Sequence, residues 1–142
     1  MTLSLLAFFI SYSWAGSPAP LEDTEGNTVR PPPAGIYVYS DRSGSEDASR
    51  AGAMLRESGA RGVVAIADVR GLGFWPLSTI VRDAVGSQVR RDGAPILLDW
   101  TGAWGTMMGL QAGGCSVLIM SGESIERTSS CDVVISGSVS VE

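Results

Sequence analysis

Gly62-Val63-Val64-Ala65-Ile66-Ala67-Asp68-Val69 is almost continuously apolar, which is typical of a central parallel strand covered on both faces. A shorter apolar stretch, Ile36-Tyr37-Val38-Tyr39, precedes it and predicts another buried strand. Between the two, the spacing of apolar residues predicts a helix from about Glu46 to Ser58. These three elements form a βαβ unit, the building block of α/β domains with a parallel sheet.

The helix of this unit carries its own start and stop signals. Ser45 or Ser43 is predicted to cap its N-terminus, and Gly59 to end it. Its buried stripe is predicted to be Ala48, Ala51, Met54 and Leu55. A second helix is predicted from about Leu77 to Val89, followed by a polar turn over 90–93. Its inward-facing residues are predicted to be Ile80, Val81, Ala84 and Val85.

Shorter elements flank this α/β centre. Residues 21–29 predict a hairpin that turns at Glu25-Gly26-Asn27, and Pro31-Pro32-Pro33 ends it. Strands are predicted at 94–99 and 116–120, and a tight turn with a brief helix is predicted at 100–109. A turn at Gly122-Glu123 predicts a closing antiparallel hairpin with residues 125–128. The tail, 133–135 and 139–141, alternates too weakly for an assignment.

Composition excludes several classes of function. The 142 residues are 44% apolar, which suits one compact domain with a sizeable core. The formal charge is -5, and the ten cationic side chains are dispersed arginines, so no surface for nucleic acid is predicted. The chain has no His and no Lys. Mechanisms that need a histidine base, histidine metal ligands or a Schiff-base lysine are therefore excluded, and no metal or cofactor is predicted.

The first fifteen residues predict export. They form an apolar run that is too short to span a bilayer. Ser13 and Ala15 place small residues where signal peptidase needs them before Gly16, although no basic residue marks the start of the segment. We therefore expect a signal peptide at 1–15 and a mature domain at 16–142, without a stable membrane span and located in the periplasm or outside the cell. A buried N-terminal strand and a truncated gene start are the alternatives.

Three stretches give the chain a resemblance to a known family. The first is 16–29, with a Pro-Ala-Pro entry and an Asp-x-x-Gly hairpin. The second is Pro95-Ile96-Leu97-Leu98-Asp99-Trp100-Thr101-Gly102 and the short helix after it. The third is the hairpin that begins with Ser116-Val117-Leu118-Ile119-Met120. Together they resemble the redoxin or peroxiredoxin branch of the thioredoxin-like proteins. The resemblance implies a three-layer α/β/α sandwich with an N-terminal β-hairpin and a terminal antiparallel β-hairpin.

The chain departs from that family at the site of its chemistry. Ser43-Gly44-Ser45-Glu46 occupies the position of the family's Cys-x-x-Cys, with Ser43 and Glu46 in place of the two cysteines. A serine hydroxyl stays protonated at neutral pH, whereas thiols at this position ionise readily. Gly113-Gly114-Cys115 replaces the family's cis-proline segment, which shapes the substrate groove. The resemblance thus implies a degenerate active-site loop, at which neither peroxide reduction nor dithiol exchange is expected.

The serine loop could have roles other than thiol chemistry. Residues 40–46 join a strand to a helix, so their hydroxyl and N–H groups could hold an anion. Helix capping is preferred, because the carboxylates of Asp41 and Glu46 would repel phosphate. Nucleophilic use of Ser43 lacks an adjacent base. Asp41, Glu46 and Asp68 could form an acid pair at the strand ends, but solvated loop carboxylates and a cap explain them more simply.

The two cysteines, Cys115 and Cys131, predict a disulfide, because an even count in an exported chain favours pairing. A turn at Gly122-Glu123 places Cys115 opposite residue 130. A one-residue bulge in the hairpin would then bring the two cysteines within bonding range. Two buried free thiols and a displaced redox pair are the alternatives.

The aromatic residues raise the question of a partner. Trp75 beside Phe74, and Trp100 with Trp104, could line a groove for a protein or a small hydrophobic ligand where loops and strand ends converge. Packing beneath those loops is the preferred interpretation, since Trp is usually largely buried. Function is therefore predicted as an exported, non-enzymatic binding or accessory domain of the cell envelope. The alternative is a thiol-disulfide oxidoreductase or peroxidase that uses Cys115 and Cys131.

Overall fold

The computed structural model describes residues 20–31, 34–110, 113–121 and 124–137. Seven strands are present in this part of the chain: β1 (Leu21–Glu22), β2 (Thr28–Val29), β3 (Gly35–Ser40), β4 (Val63–Asp68), β5 (Ile96–Asp99), β6 (Cys115–Ser121) and β7 (Ser124–Ser130). Four helices accompany them: α1 (Ser45–Glu57), α2 (Leu77–Asp92), α3 (Ala103–Met107) and α4 (Cys131–Ile135). The strands form one sheet in the order β2-β1-β5-β4-β3-β6-β7.

The predicted βαβ unit is confirmed. β4 lies at the centre of the sheet and pairs in parallel with β3 on one side and β5 on the other. α1 connects β3 to β4, and α2 connects β4 to β5. β6 then pairs antiparallel with β3, and the hairpins β1–β2 and β6–β7 close the two edges. The three-layer α/β/α sandwich with a hairpin at each end is therefore the observed fold.

Alternation along the strands divides the core into two faces. On one, which we call the aromatic face, Tyr37, Tyr39 and Leu118 pack against Trp104 of α3. On the other, the helix face, Val38 and Val117 pack with residues of α1 and α4. Because neighbouring residues of a strand point to opposite sides, the apolar run of β3 supplies both faces at once.

The predicted start of α1 needs a correction. Its N-cap is Gly44, and neither serine supplies a capping hydrogen bond. The Ser43 hydroxyl donates to Asp41, and the Ser45 hydroxyl donates to the Arg42 carbonyl. Within the predicted stripe, Ala51 and Leu55 are buried and Ala48 packs beside them, but Met54 is exposed. The helix ends at Glu57, two residues before Gly59, which has the positive φ typical of a helix terminator.

α2 also differs from its prediction. It continues through the predicted polar turn to Asp92 and ends at Gly93 in the left-handed conformation. Ile80 and Ala84 were predicted to face inward but are exposed, and Gly86 is the buried residue of this helix. The helix therefore covers the sheet without packing tightly against it.

The hairpins follow the predicted patterns more closely. Leu21 pairs with Val29 across the predicted N-terminal turn, where the Asp23 carboxylate accepts from the N–H groups of Glu25 and Asn27. In the second hairpin, β7 runs to Ser130. Residues 133–135, left unassigned from the sequence, belong to α4.

Several predictions fall outside the described residues: the signal peptide at 1–15, Pro32-Pro33, the turn at Gly122-Glu123 and the tail at 139–141. Among the helices of the described ranges, none combines the length and the apolar character needed to cross a membrane.

Candidate functional site

The loop between β3 and α1, residues 40–46, is organised by one carboxylate. Asp41 Oδ1 accepts from the Ser43 hydroxyl at 2.6 Å, from the Gly44 N–H at 3.0 Å and from the Gly114 N–H at 3.2 Å. The Asp41 N–H in turn donates to the Gly114 carbonyl at 3.2 Å. The carboxylate thereby joins the loop to the segment that leads into β6.

These contacts affect both charge and chemistry. The hydrogen bond from Ser43 is the main reason that the pKa of Asp41 lies below its ordinary value, and the N–H groups of Gly44 and Gly114 add to the effect. The same contacts occupy donors that an external anion would need. An anion cradle at this loop is therefore disfavoured, in line with the negative charge of Asp41.

The backbone itself is tightly apposed here. A Cβ at Gly44 would collide with the carbonyl group of Gly114 and would lie 3.0 Å from the nitrogen of Cys115. Only glycine fits at this position without moving one of the two segments. Gly44, one of the four residues from Ser43 to Glu46, thus lies against the residues just before Cys115.

The two cysteines form a disulfide, which confirms the preferred interpretation. Cys115 begins β6 and Cys131 begins α4, with their Cα atoms 5.4 Å apart. Ser116 pairs with Ser130, and a register shift lies farther along the hairpin at Ile119/Met120. This is the kind of bulge that the sequence required to bring the cysteines together. Cys131 is buried, whereas Cys115 is partly exposed beside the loop.

A buried polar network that the sequence did not predict lies on the aromatic face. The Tyr39 hydroxyl donates to Asp99 Oδ2 at 2.7 Å, and the N–H of Gly105 donates to the same oxygen at 3.0 Å. The N–H of Trp104 donates to Asp99 Oδ1 at 3.4 Å. Asp99 therefore fixes the start of α3 and the tyrosine at the end of β3.

Charges near this network act on the tyrosine. Burial is the largest cause of the raised pKa of Tyr39, followed by its hydrogen bond to Asp99 and the negative charge of that carboxylate. Asp68, next to Asp99 in the sheet, binds Nε of Arg70 at 2.9 and 3.0 Å. The raised pKa extends the protonated form of Tyr39 further into alkaline pH, and the tyrosine acts as a hydrogen-bond donor within the fold.

The structure assigns separate surroundings to the three carboxylates considered as an acid pair. Asp41 binds the loop, Asp68 binds Arg70, and Glu46 is exposed in the first turn of α1. Among the described residues, no cluster of three or more acidic, cysteine or histidine side chains could hold a metal ion.

The main signal for the Tyr39–Asp99 contact was the Asp that ends a buried strand, but the sequence did not indicate its partner.

The aromatic side chains behave differently from one another. Trp104 is buried, but Phe74 and Trp75 are 59% and 81% exposed, so the predicted packing beneath the loops does not extend to them. Trp100 is half-buried: its Nε1 donates to Glu22 at 2.9 Å, and the guanidinium of Arg82 lies 5.0 Å from its ring centroid. Trp100 is therefore part of an internal contact, whereas Trp75 projects into solvent.

Parallel strands that end beside a loop and a helix, with a hairpin at either edge, define a thioredoxin-like fold. In a search of solved structures, the chain resembles the exposed lipoprotein thioredoxin Etrx1 of Streptococcus pneumoniae at 12% identity and a TM-score of 0.60, covering 85% of this chain and 97% of that one. It also resembles StoA of Bacillus subtilis at 12% identity and a TM-score of 0.54, covering 87% and 98%. These similarities establish the fold. No family model and no curated protein sequence matches the chain.

Proposed function

We propose that this protein is an exported, redoxin-like domain with a degenerate active-site loop, which acts as a non-enzymatic binding or accessory protein of the cell envelope. The observation that carries the proposal is the state of that loop. By the resemblance, Ser43 and Glu46 take the positions of the family's cysteines, and the Asp41 carboxylate accepts from the N–H of Gly44 at the helix N-terminus. A helix N-terminus that would activate a thiol here instead binds an internal carboxylate.

The disulfide supports the same proposal from another side. It joins the first residue of β6 to the first residue of α4, and Cys131 lies within the core of the helix face. A bridge in this position stabilises the terminal hairpin and the short helix after it. Burial of Cys131 restricts the access that thiol exchange requires.

Two further features favour export. The predicted signal peptide precedes the domain, and a structural disulfide persists in oxidising compartments. One of the similar structures is named an exposed lipoprotein thioredoxin, which is compatible with a location outside the cytoplasm. For a binding role, the exposed pair Phe74 and Trp75 offers a contact for a protein partner.

A second function is favoured by one specific contact. Cys115 follows Gly114, which touches Gly44 in the loop, and Cys115 is only partly buried. A thiol-disulfide oxidoreductase or peroxidase that uses the Cys115–Cys131 pair would therefore act beside the family's usual site. Such an enzyme needs reduced Cys115 to attack an oxidant, and Cys131 to resolve the product.

The test is a thiol titration of the purified protein before and after reduction, followed by turnover assays with peroxide and with a small disulfide in the presence of a thiol reductant that regenerates the two cysteines. We expect no titratable thiol before reduction, two after it in denaturant, and no turnover above that of the Cys115→Ala/Cys131→Ala double variant. Catalytic consumption of oxidant that disappears in each single Cys→Ala variant would establish the enzyme instead.

A further inference from the structure

A cavity of about 370 Å³ lies on the helix face, between the sheet and helices α1 and α2. Its floor includes Val38 of β3 and the small side chains Ala65 and Ala67 of β4. One wall is formed by Ala48 and Gly52 of α1. The volume lies within the range of sites that hold small molecules, and the lining is mainly apolar.

The opposite wall is the apolar stripe of α2, which has no close packing partner. Ile80, Val81, Ala84 and Val85 line the cavity, and Ile80 is 58% exposed. The sequence predicts that these four residues are core, yet all four line the cavity and Ile80 and Ala84 are exposed. An apolar stripe of this kind is stabilised when a ligand covers it.

The position of α2 is fixed at both ends, so the cavity is built into the fold. Toward its start, Arg82 forms an ion pair with Glu22 at 2.8 Å and lies over Trp100. At its end, Asp92 accepts a hydrogen bond from Ser49 of α1 at 3.0 Å. These two contacts hold α2 in place on either side of Ala84 and Val85, which line the cavity.

The charges around the cavity indicate the sign of the charge that a ligand should carry. Its lining includes the acidic residues Asp41, Asp68 and Asp92, each of which already has a hydrogen-bond donor from the protein. It also includes Arg42 and Arg56, whose guanidinium groups have no ion pair or hydrogen bond to the described residues. The unpartnered charges are therefore positive.

Arg56 is placed to meet a ligand. Its two terminal nitrogens lie 3.4 Å from the Cβ position of Gly52, so the guanidinium lies over this glycine at the cavity wall. Gly52 thus leaves space that a larger side chain would take from the arginine. A guanidinium at an apolar cavity suits a carboxylate, which it can bind through two parallel hydrogen bonds.

We propose that this cavity binds a single-chain amphiphile with a carboxylate head, such as a medium-chain fatty acid, its chain between α2 and β4 and its head at Arg56. This gives the proposed binding function a ligand class, and rests on it. A nucleotide would place several negative charges against a mainly apolar lining. A long peptide would exceed the volume. An acyl chain matches the apolar walls, and one carboxylate matches the free cations.

The first test is calorimetric titration with decanoate, below the concentration at which it forms micelles. We expect one decanoate per chain. Arg56→Gln should weaken binding about three- to tenfold, in proportion to a partly exposed ion pair, whereas Arg50→Gln, an exposed arginine of the same helix that does not line the cavity, should leave it unchanged. Decanol that binds as tightly as decanoate, with no effect of Arg56→Gln, would overturn the carboxylate assignment.

The second test fills the cavity. Ala65→Leu on the floor should abolish decanoate binding, while Ala103→Leu, the same change at an exposed position of α3, should retain it. Ala84→Leu on α2 reaches the space from a surface helix and keeps the test decisive if the strand variant folds poorly. Wild-type protein that binds no decanoate, or filled variants that bind it normally, would overturn the proposal.

The proposed function and this inference can fail separately. Thiol turnover with decanoate binding retained would overturn the absence of catalysis and leave the ligand standing. Absence of turnover together with absence of decanoate binding would leave the non-enzymatic role standing and overturn the ligand. The two results are independent because the turnover assay and the titration report on different parts of the molecule.

Discussion

The aromatic face and the helix face of the sheet are stabilised in different ways. On the aromatic face, Trp104 is buried with its ring centroid 5.2 Å from that of Tyr37 and 5.7 Å from that of Tyr39, and Asp99 supplies the hydrogen bonds. On the helix face, α1 and α4 pack around a disulfide, but α2 stands over a cavity. The aromatic face is filled by large side chains. The helix face is packed beneath α1 and α4 but has a cavity beneath α2.

The comparison separates the part of the sheet that is tightly packed from the part that has room to bind a ligand. Large side chains and the hydrogen bonds to Asp99 hold the ends of β3 and β5 in place, including the residues that lead into the loop. The helix face retains room for a ligand beneath α2. Sites of binding are commonly found where packing is incomplete and the backbone is well anchored.

The largest effect is expected from Trp104→Ala on the aromatic face. Loss of this buried ring should destabilise the protein by about 3–5 kcal/mol, as large-to-small changes in cores do. Ile80→Ala, which trims an apolar residue that lines the cavity, should cost less than about 1 kcal/mol because its side chain is mostly exposed. Urea unfolding measures both, and equal costs would contradict the comparison.

The disulfide comes next. The Cys115→Ala/Cys131→Ala double variant should lose about 3 kcal/mol, since the bridge closes a loop of about 15 residues in the unfolded chain. Chemical reduction of the wild type should have a similar effect, but reducing agent should not change the variant. A loss confined to a fraction of a kcal/mol would mean that α4 is held by packing alone.

Tyr39→Phe probes the polar part of the aromatic face. It removes the donor to a buried carboxylate and should cost about 1–3 kcal/mol at neutral pH. Because the pKa of Tyr39 is raised in the folded protein, its contribution is complete below the ordinary tyrosine value and is lost as pH rises above it. Unfolding measured from neutral to alkaline pH should therefore show a shallower decline for the variant than for the wild type.

The sequence predicted the parts of this fold that depend on local patterns. The apolar runs of β3 and β4, the hairpin turn near Gly26 and the pairing of the cysteines all follow from spacing along the chain. The contact between Tyr39 and Asp99 spans 60 positions, and spacing carries no information about it. The apolar stripe of α2 was recognised, but periodicity shows which side of a helix is apolar and not whether that side touches anything.

The loop gave a similar result on a smaller scale. The sequence located the loop and predicted capping, but chose a serine hydroxyl as the cap. No side chain caps α1, and the Asp41 carboxylate instead holds the loop, because it reaches both Gly44 and Gly114, which are distant in sequence. Only the pairing of β3 with β6 brings Gly114 within reach.

Asp41→Ala tests this contact. Loss of the carboxylate should cost about 0.5–1.5 kcal/mol at neutral pH, the net range for an intramolecular hydrogen bond. Since the pKa of Asp41 is lowered in the folded state, its contribution is present above the ordinary aspartate value and lost as pH falls through the folded value. The difference between variant and wild type should shrink in acid, whereas Asp83→Ala, an exposed carboxylate of α2, should have little effect at either pH.

The last comparison makes one chemical change at two places on the helix face. Ala51 is fully buried between α1 and the sheet, so Ala51→Leu should overpack the core and cost about 1–3 kcal/mol. Ala65→Leu places the same atoms in the cavity and should be neutral or stabilising by up to about 1 kcal/mol, as cavity-filling changes are. Urea unfolding without ligand distinguishes the two. Equal destabilisation would mean that α2 closes on the sheet in solution, which would remove the space proposed for the acyl chain. Opposite signs would instead separate the two halves of one face, a packed half that supports the fold and an open half that is free to bind.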